Sequence, residues 1–183
     1  ADGGRVHSRL GGLSRGAFRH PVEAPAQGQS LPAPASLAAM DLDGDRQTDL
    51  IAANRESDSL TFFHAAGAGA FTALSIPLPP PSPPAAPGGG EGRRGPVAAV
   101  AGDLNGDGRA DLVSANVDSN DLTVLLQDES GDFLAFDVRA DGFLGPHSAA
   151  LADLDGDGNL DIAAAARFSD DARWFRQGAD GAL

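Results

Sequence analysis

Three stretches of the chain place oxygen-bearing side chains at a spacing that suits metal binding. They are DLDGDRQTDL (residues 41–50), DLNGDGRADL (103–112) and DLDGDGNLDI (153–162). In each, Asp or Asn stands at positions 1, 3, 5 and 9, and glycine stands at position 4. Alternate residues of a tightly curled loop turn their oxygens inward, the glycine permits the turn, and the last aspartate closes the cage. Oxygen donors without His or Cys suit calcium rather than zinc or copper, and the density of carboxylates favours calcium over magnesium. An EF-hand loop opens in the same way but needs Glu at position 12 and flanking helices. Position 12 here is Ala52, Ser114 or Ala164, between strand-like flanks. Acidic turns that hold no metal are the remaining alternative, and they would leave up to four carboxylates repelling one another in one turn.

The loops hold four, three and four aspartates, eleven of the 26 acidic residues. The formal charge of -13 therefore reports site chemistry more than a general surface field, and three bound divalent ions, adding six charges, would bring it to -7. An acidic chain does not suit nucleic acid, whose phosphates need Lys and Arg. Cysteine is absent, which excludes a disulfide framework and thiolate metal sites. Lysine is absent too, so all thirteen basic residues are arginine, and a lysine Schiff base and a Walker-type phosphate loop are excluded. The abundance of Ala, Gly, Pro and Arg reads as GC-rich coding. No apolar run approaches the roughly 20 residues that span a membrane. A chain opening at Ala1 without methionine is expected of a processed or truncated segment.

The elements that position these loops repeat with them. Seven residues before each first aspartate stands Pro34, Pro96 or Pro146. The intervening ASLAAM, VAAVAG and HSAALA read as a tightly packed strand, and LIAAN, LVSAN and IAAAA after position 9 read as a second. Polar turns at Ser57-Asp58, Ser119-Asn120 and Ser169-Asp170 lead into a third strand, SLTFFH, DLTVLL or DARWFR. Thirty residues after the first aspartate come Phe71, Phe133 and Leu183, each closing a Gly-x-Phe or Gly-x-Leu motif. Gly16-Ala17-Phe18 repeats that motif, as the trace of an earlier unit. The copies lie 62 and 50 residues apart, and the difference of 12 falls between Phe71 and Pro96. There IPLPPPSPPAAPGGGEGRRG (76–95) cannot form a central strand, because proline donates no ladder bond, and it reads as a loop inserted beside an outer strand.

The pattern P-x6-D-L-[DN]-G-D-x3-D-[LI] with its late G-x-F resembles the FG-GAP repeats, also called VCBS repeats, of integrin-type β-propellers and many bacterial and algal surface proteins. The resemblance covers roughly residues 34–71, 96–133 and 146–183. It implies an all-β fold of four-stranded antiparallel propeller blades, with three recognisable repeats and a partial one. The expected segments are 1–33 (tail of a preceding blade), 34–76 (first blade), 77–95 (Pro/Gly-rich insert), 96–145 (second blade) and 146–183 (third blade, lacking its outer strand). Three blades do not close a wheel, so other segments or chains complete it, and residues near Phe18 are one source of an outer strand. The resemblance also implies about three calcium ions. The implied side-chain ligands are Asp41, Asp43, Asp45 and Asp49; Asp103, Asn105, Asp107 and Asp111; and Asp153, Asp155, Asp157 and Asp161. The backbone carbonyls of Gln47, Arg109 and Asn159 add a further oxygen to each. Two departures matter: Arg46 replaces the glycine seen at Gly108 and Gly158, which strains the first loop, and Asn105 removes a charge from the second.

Function is expected to be non-enzymatic: a calcium-stabilised propeller segment for adhesion, recognition or assembly at the cell surface or outside the cell, binding a protein or glycan. A lectin-like propeller and a non-catalytic part of a secreted hydrolase or lyase are the alternatives. No nucleophile–base constellation stands out. His7, His20, His64 and His147 occupy unrelated repeat positions and read as surface or loop residues. Trp174 falls where Phe62 and Val124 stand in the other units, and reads as packing between blades rather than a sugar platform. The insert is either a solvated polyproline spacer or a modified segment resembling the Ser-Pro stretches that plants and algae glycosylate, with Ser82 carrying sugar.

Overall fold

A computed structural model describes residues 33–67, 69–81 and 92–178. The fold is all-β among these residues, with three antiparallel sheets whose strands follow chain order. The first blade holds β1 (Pro34–Met40), β2 (Asp49–Asn54), β3 (Ser59–Ala65) and β4 (Phe71–Pro77). The second holds β5 (Pro96–Gly102), β6 (Asp111–Asn116), β7 (Asp121–Gln127) and β8 (Phe133–Val138). The third holds β9 (Pro146–Ala152), β10 (Asp161–Ala166) and β11 (Asp171–Phe175). Residues 1–32, with Gly16-Ala17-Phe18, and the closing Gly181-Ala182-Leu183 lie outside the described residues.

Each first strand starts on its repeat proline, which needs no ladder partner for a missing N–H there. Pro34 faces Asn54, Pro96 faces Asn116 and Pro146 faces Ala166, with a register shift beside each pair. Asn54 and Asn116 are fully buried, and their amide N–H groups are satisfied across the hairpin, although Asn54 Oδ1 has no partner among the described residues. Asn54 Nδ2 donates to Ser59 and Thr61 (3.2 and 2.8 Å), and Asn116 Nδ2 to Asp121 and Thr123 (2.8 and 2.7 Å).

Alternation along the strands gives each blade two apolar faces. Ile51, Ala53, Leu60 and Phe62 of the first blade form one core with Ala99, Leu112 and Leu125 of the second. Val113, Ala115, Leu122 and Val124 form the next with Ile162, Ala164 and Ala166 of the third. Each large side chain buried this way contributes about 1.5–3 kcal/mol. The first strands β1, β5 and β9 are successive neighbours, as the inner strands of propeller blades are. Among the described residues the array is not closed: Ala150, Ala163, Ala165, Ala172 and Trp174 occupy the same positions on the far face of the third blade. Trp174 is 50 % exposed there, where Phe62 is 3 % and Val124 0 % exposed. It sits at a blade-packing position that no blade covers among the described residues.

The polar turns between second and third strands do more than reverse the chain. Asp58 and Asn120 adopt left-handed φ of 49° and 56°. Asp58 Oδ1 accepts from the N–H of Gly95 (2.8 Å), and Asn120 Oδ1 from that of Gly145 (2.7 Å), so each turn grips the residue before the next blade's proline. Those glycines are required, since a Cβ would meet the Asp118 carboxylate at 2.2 Å or the Phe168 ring at 2.4 Å.

The insert leaves the outer strand β4 as expected, and its feet are anchored by buried residues among exposed ones. Leu78 is buried and donates its N–H to the Asp58 carbonyl (2.8 Å). Arg94 is 2 % exposed; it donates to the carbonyls of Pro79 and Pro80 and pairs with Asp121 (3.3 Å) and Asp137 (2.6 Å). Pro77, Pro79, Pro80, Gly92 and Arg93 stay exposed, and Ser82 lies outside the described residues.

Candidate metal loops

Each acidic segment joins the first and second strands of its blade, and the three curl by a largely shared set of hydrogen bonds. The first aspartate caps the turn. Asp41 accepts from the N–H groups of Gly44 and Arg46 (2.8 and 2.9 Å). Asp103 accepts from Gly106, Asp107 and Gly108 (2.7, 3.0 and 2.8 Å), and Asp153 from Gly156, Asp157 and Gly158 (2.7, 3.1 and 3.0 Å). Position 3 (Asp43, Asn105, Asp155) accepts from the N–H of position 5, at 3.1 Å in every copy. Position 5 (Asp45, Asp107, Asp157) in turn accepts from the N–H of Gln47, Arg109 and Asn159 at 2.7, 2.9 and 2.9 Å.

The ninth residue begins the second strand and is fully buried in all three copies. One carboxylate oxygen of Asp49, Asp111 and Asp161 accepts from the N–H of Leu42, Leu104 and Leu154 (2.9, 2.8 and 3.0 Å). The other accepts from the N–H of Ala65, Gln127 and Gln177 at the end of the third strand (2.7, 2.8 and 2.9 Å). This residue thus ties loop, second strand and third strand together, which spacing alone does not reveal.

Side-chain oxygens converge in two loops. Those of Asp41, Asp43 and Asp45 lie within 4.8 Å of one another, as do those of Asp153, Asp155 and Asp161. Asp43 and Asp49 also gather with His64. The second loop brings no three such acidic or imidazole groups together among the described residues, because Asn105 stands at position 3 and donates its amide to Asp107 (2.8 Å). The chain's own cations already lean on two loops: Arg109 pairs with Asp107, and Arg176 pairs with Asp155 and, at 3.6 Å, with Asp157. An all-oxygen donor set of this size, partly covered by guanidinium groups, fits a hard divalent cation.

The local electrostatics differ between copies. Burial is the largest influence on Asp111 and holds its carboxyl above the ordinary range, despite N–H donors from Gln127, Leu104 and Asn105; Asp107 adds to the rise. Burial also pushes Asp161 upward, but hydrogen bonds from Gln177, Leu154 and Trp174 and the charge of Arg176 outweigh it, and the carboxyl lies below its ordinary value. Asp107 likewise falls, as desolvation is overcome by the Arg109 N–H, the Asn105 amide and the Arg109 charge.

Position 6 carries the expected strain. Gly108 and Gly158 take φ of 84° and 93°, and Arg46 is held at 68°. A left-handed conformation costs an L-residue about 1–2 kcal/mol. Arg46→Gly should therefore raise the unfolding free energy by about 1 kcal/mol, part of the relief being lost to the freer unfolded chain. A urea titration of both chains reads this directly, and an unchanged or lower midpoint would contradict it.

His64 is the site residue that sequence reasoning missed. Its Nδ1 lies 3.6 Å from Asp43 Oδ2 and 3.8 Å from Asp49 Oδ2. The available signal was its position at the end of the third strand, next to the residue whose N–H holds Asp49. His147 stays exposed at the start of β9, and His7 and His20 lie outside the described residues.

Stacked antiparallel sheets of four, four and three described strands, each with an oxygen-rich loop between its first two strands, define a repeat protein of β-propeller-like blades. The chain belongs to the FG-GAP-like repeat family, whose pattern matches residues 41–114 and 103–164. No curated protein matches it. Among the described residues no helix is long and apolar enough to cross a membrane.

Proposed function

We propose that the chain is a calcium-stabilised, non-enzymatic propeller segment that serves adhesion, recognition or assembly outside the cell. The observation that carries this reading is the convergence of carboxylate oxygens at equivalent loops of the repeat. In the first loop Asp41, Asp43, Asp45 and Asp49 would hold the ion with the Gln47 carbonyl. In the second, Asp103, Asn105, Asp107 and Asp111 would do so with the Arg109 carbonyl. In the third, Asp153, Asp155, Asp157 and Asp161 would do so with that of Asn159. Calcium supplies positive charge that relieves repulsion among these groups. The chain's residues supply the curled loop and its anchoring to the strands. Sites of roughly 0.1–1 mM affinity fill outside cells, where calcium is abundant. The uncovered face of the third blade supports an assembly completed by further blades.

The test is thermal. At about 10 mM calcium, a site of that affinity stabilises the fold by about 1.4–2.7 kcal/mol. The melting temperature should rise on adding calcium and fall with EDTA. A melting curve indifferent to both would remove the stabilising role.

A further inference from the structure

We propose that the open face of the third blade receives the first blade of a second copy of this chain, joining two chains head to tail. The proposal rests on the reading of the chain as a propeller segment that assembles, and names the partner and the residues that select it. In both junctions within the chain, the incoming first strand, β5 or β9, packs on the first and second strands of the blade before it. Ala99 of β5 and Ala149 of β9 belong to the cores of those junctions. Their repeat equivalent on β1 is Leu37, which is 64 % exposed. The two open surfaces are reciprocal in size. On the third blade Ala163 stands where Ile51 and Val113 do, and Ala172 where Leu60 and Leu122 do. A face made shallow by alanine thus meets a strand that carries leucine in place of alanine, which conserves volume across the junction.

The rim matches as well. Asp58 and Asn120 clamp the N–H of Gly95 and Gly145, the residues before the next blade's proline, whose φ are 62° and 66°. Asp170 holds the same left-handed turn, φ 48°, and grips nothing among the described residues. Ala33, exposed before Pro34, has the left-handed φ of its equivalents, 48°, which alanine rarely adopts. Its N–H is the donor that Asp170 lacks. Beside the first clamp, Arg55 of one blade pairs with Asp118 of the next (2.8 Å). At the open junction the equivalents are Arg167 and, on the second copy, Glu56, again of opposite charge and both exposed. A chain closing on itself would have too few blades for a wheel, whereas two copies bring six, within the roughly four to eight that close. A head-to-tail contact that closes gives a finite assembly.

The full 183-residue chain in millimolar calcium should sediment as a dimer of twice 18.5 kDa and dissociate on dilution. Trp174 is the only tryptophan, so its emission should move to shorter wavelength as the dimer forms. Leu37→Asp, at an exposed position, should leave a folded monomer, by circular dichroism, and abolish the emission shift. Arg167→Glu should weaken the dimer about fivefold, and adding Glu56→Arg should recover it. A chain that stays monomeric up to about 1 mM, or a dimer indifferent to Leu37→Asp and to the charge exchange, would overturn the proposal. Calcium uptake by such a monomer would leave the calcium reading standing, and a dimer formed without calcium uptake would remove that reading alone.

Discussion

Replacing Asp111 with alanine lowers the unfolding free energy by about 3 kcal/mol, with or without metal. The carboxylate is fully buried and accepts from Leu104 and Asn105 in the acidic loop and from Gln127 at the end of the third strand. Alanine would orphan buried donors, at about 1–3 kcal/mol for each. Asp111→Asn should recover much of the loss, since one oxygen still accepts. Burial also holds the Asp111 carboxyl above its usual range, so the charge itself is not what the fold favours. Chemical denaturation in calcium and in EDTA separates the two roles of this residue. A loss that disappears in EDTA would mean that Asp111 acts only through an ion, contrary to the hydrogen bonding seen.

Arg94→Met carries a comparable cost, about 3–5 kcal/mol, as expected when one partner of a buried ion pair is removed. Arg94 joins Asp121 and Asp137 to the carbonyls of Pro79 and Pro80, so it sews the insert to the second blade. Asp121 keeps Arg139 at 2.9 Å, which limits the damage. Besides a lower urea midpoint, the variant should be cut faster by protease within residues 77–95. An unaltered midpoint would show that the pair contributes no net stability.

The sequence made the repeat legible because its signals are local: an aspartate ladder, a leading proline and small apolar runs of strand length. The first, second and third strands fall where ASLAAM, LIAAN and SLTFFH place them. What stayed hidden depends on residues brought together by folding. Asp49, Asp111 and Asp161 each bind an N–H sixteen residues downstream, and spacing within the loop carries no trace of it. Asp58 and Asn120 read as turn formers, yet their oxygens clamp the following blade. Arg94 looks like any charge in a Gly-Arg loop, and it is buried only because Asp121 and Asp137 converge on it. His64 failed to stand out because its repeat equivalents are a leucine and an arginine.

Direct calcium titration of the chelator-treated chain tests the central claim most simply. Saturable uptake is predicted, with the third loop filling at roughly 0.1–1 mM and the second more weakly, because Asn105 lacks a charge. Replacing Asp153 and Asp157 together with asparagine should remove one equivalent. No uptake by about 10 mM, or uptake indifferent to that double substitution, would contradict the assignment of these loops as calcium sites.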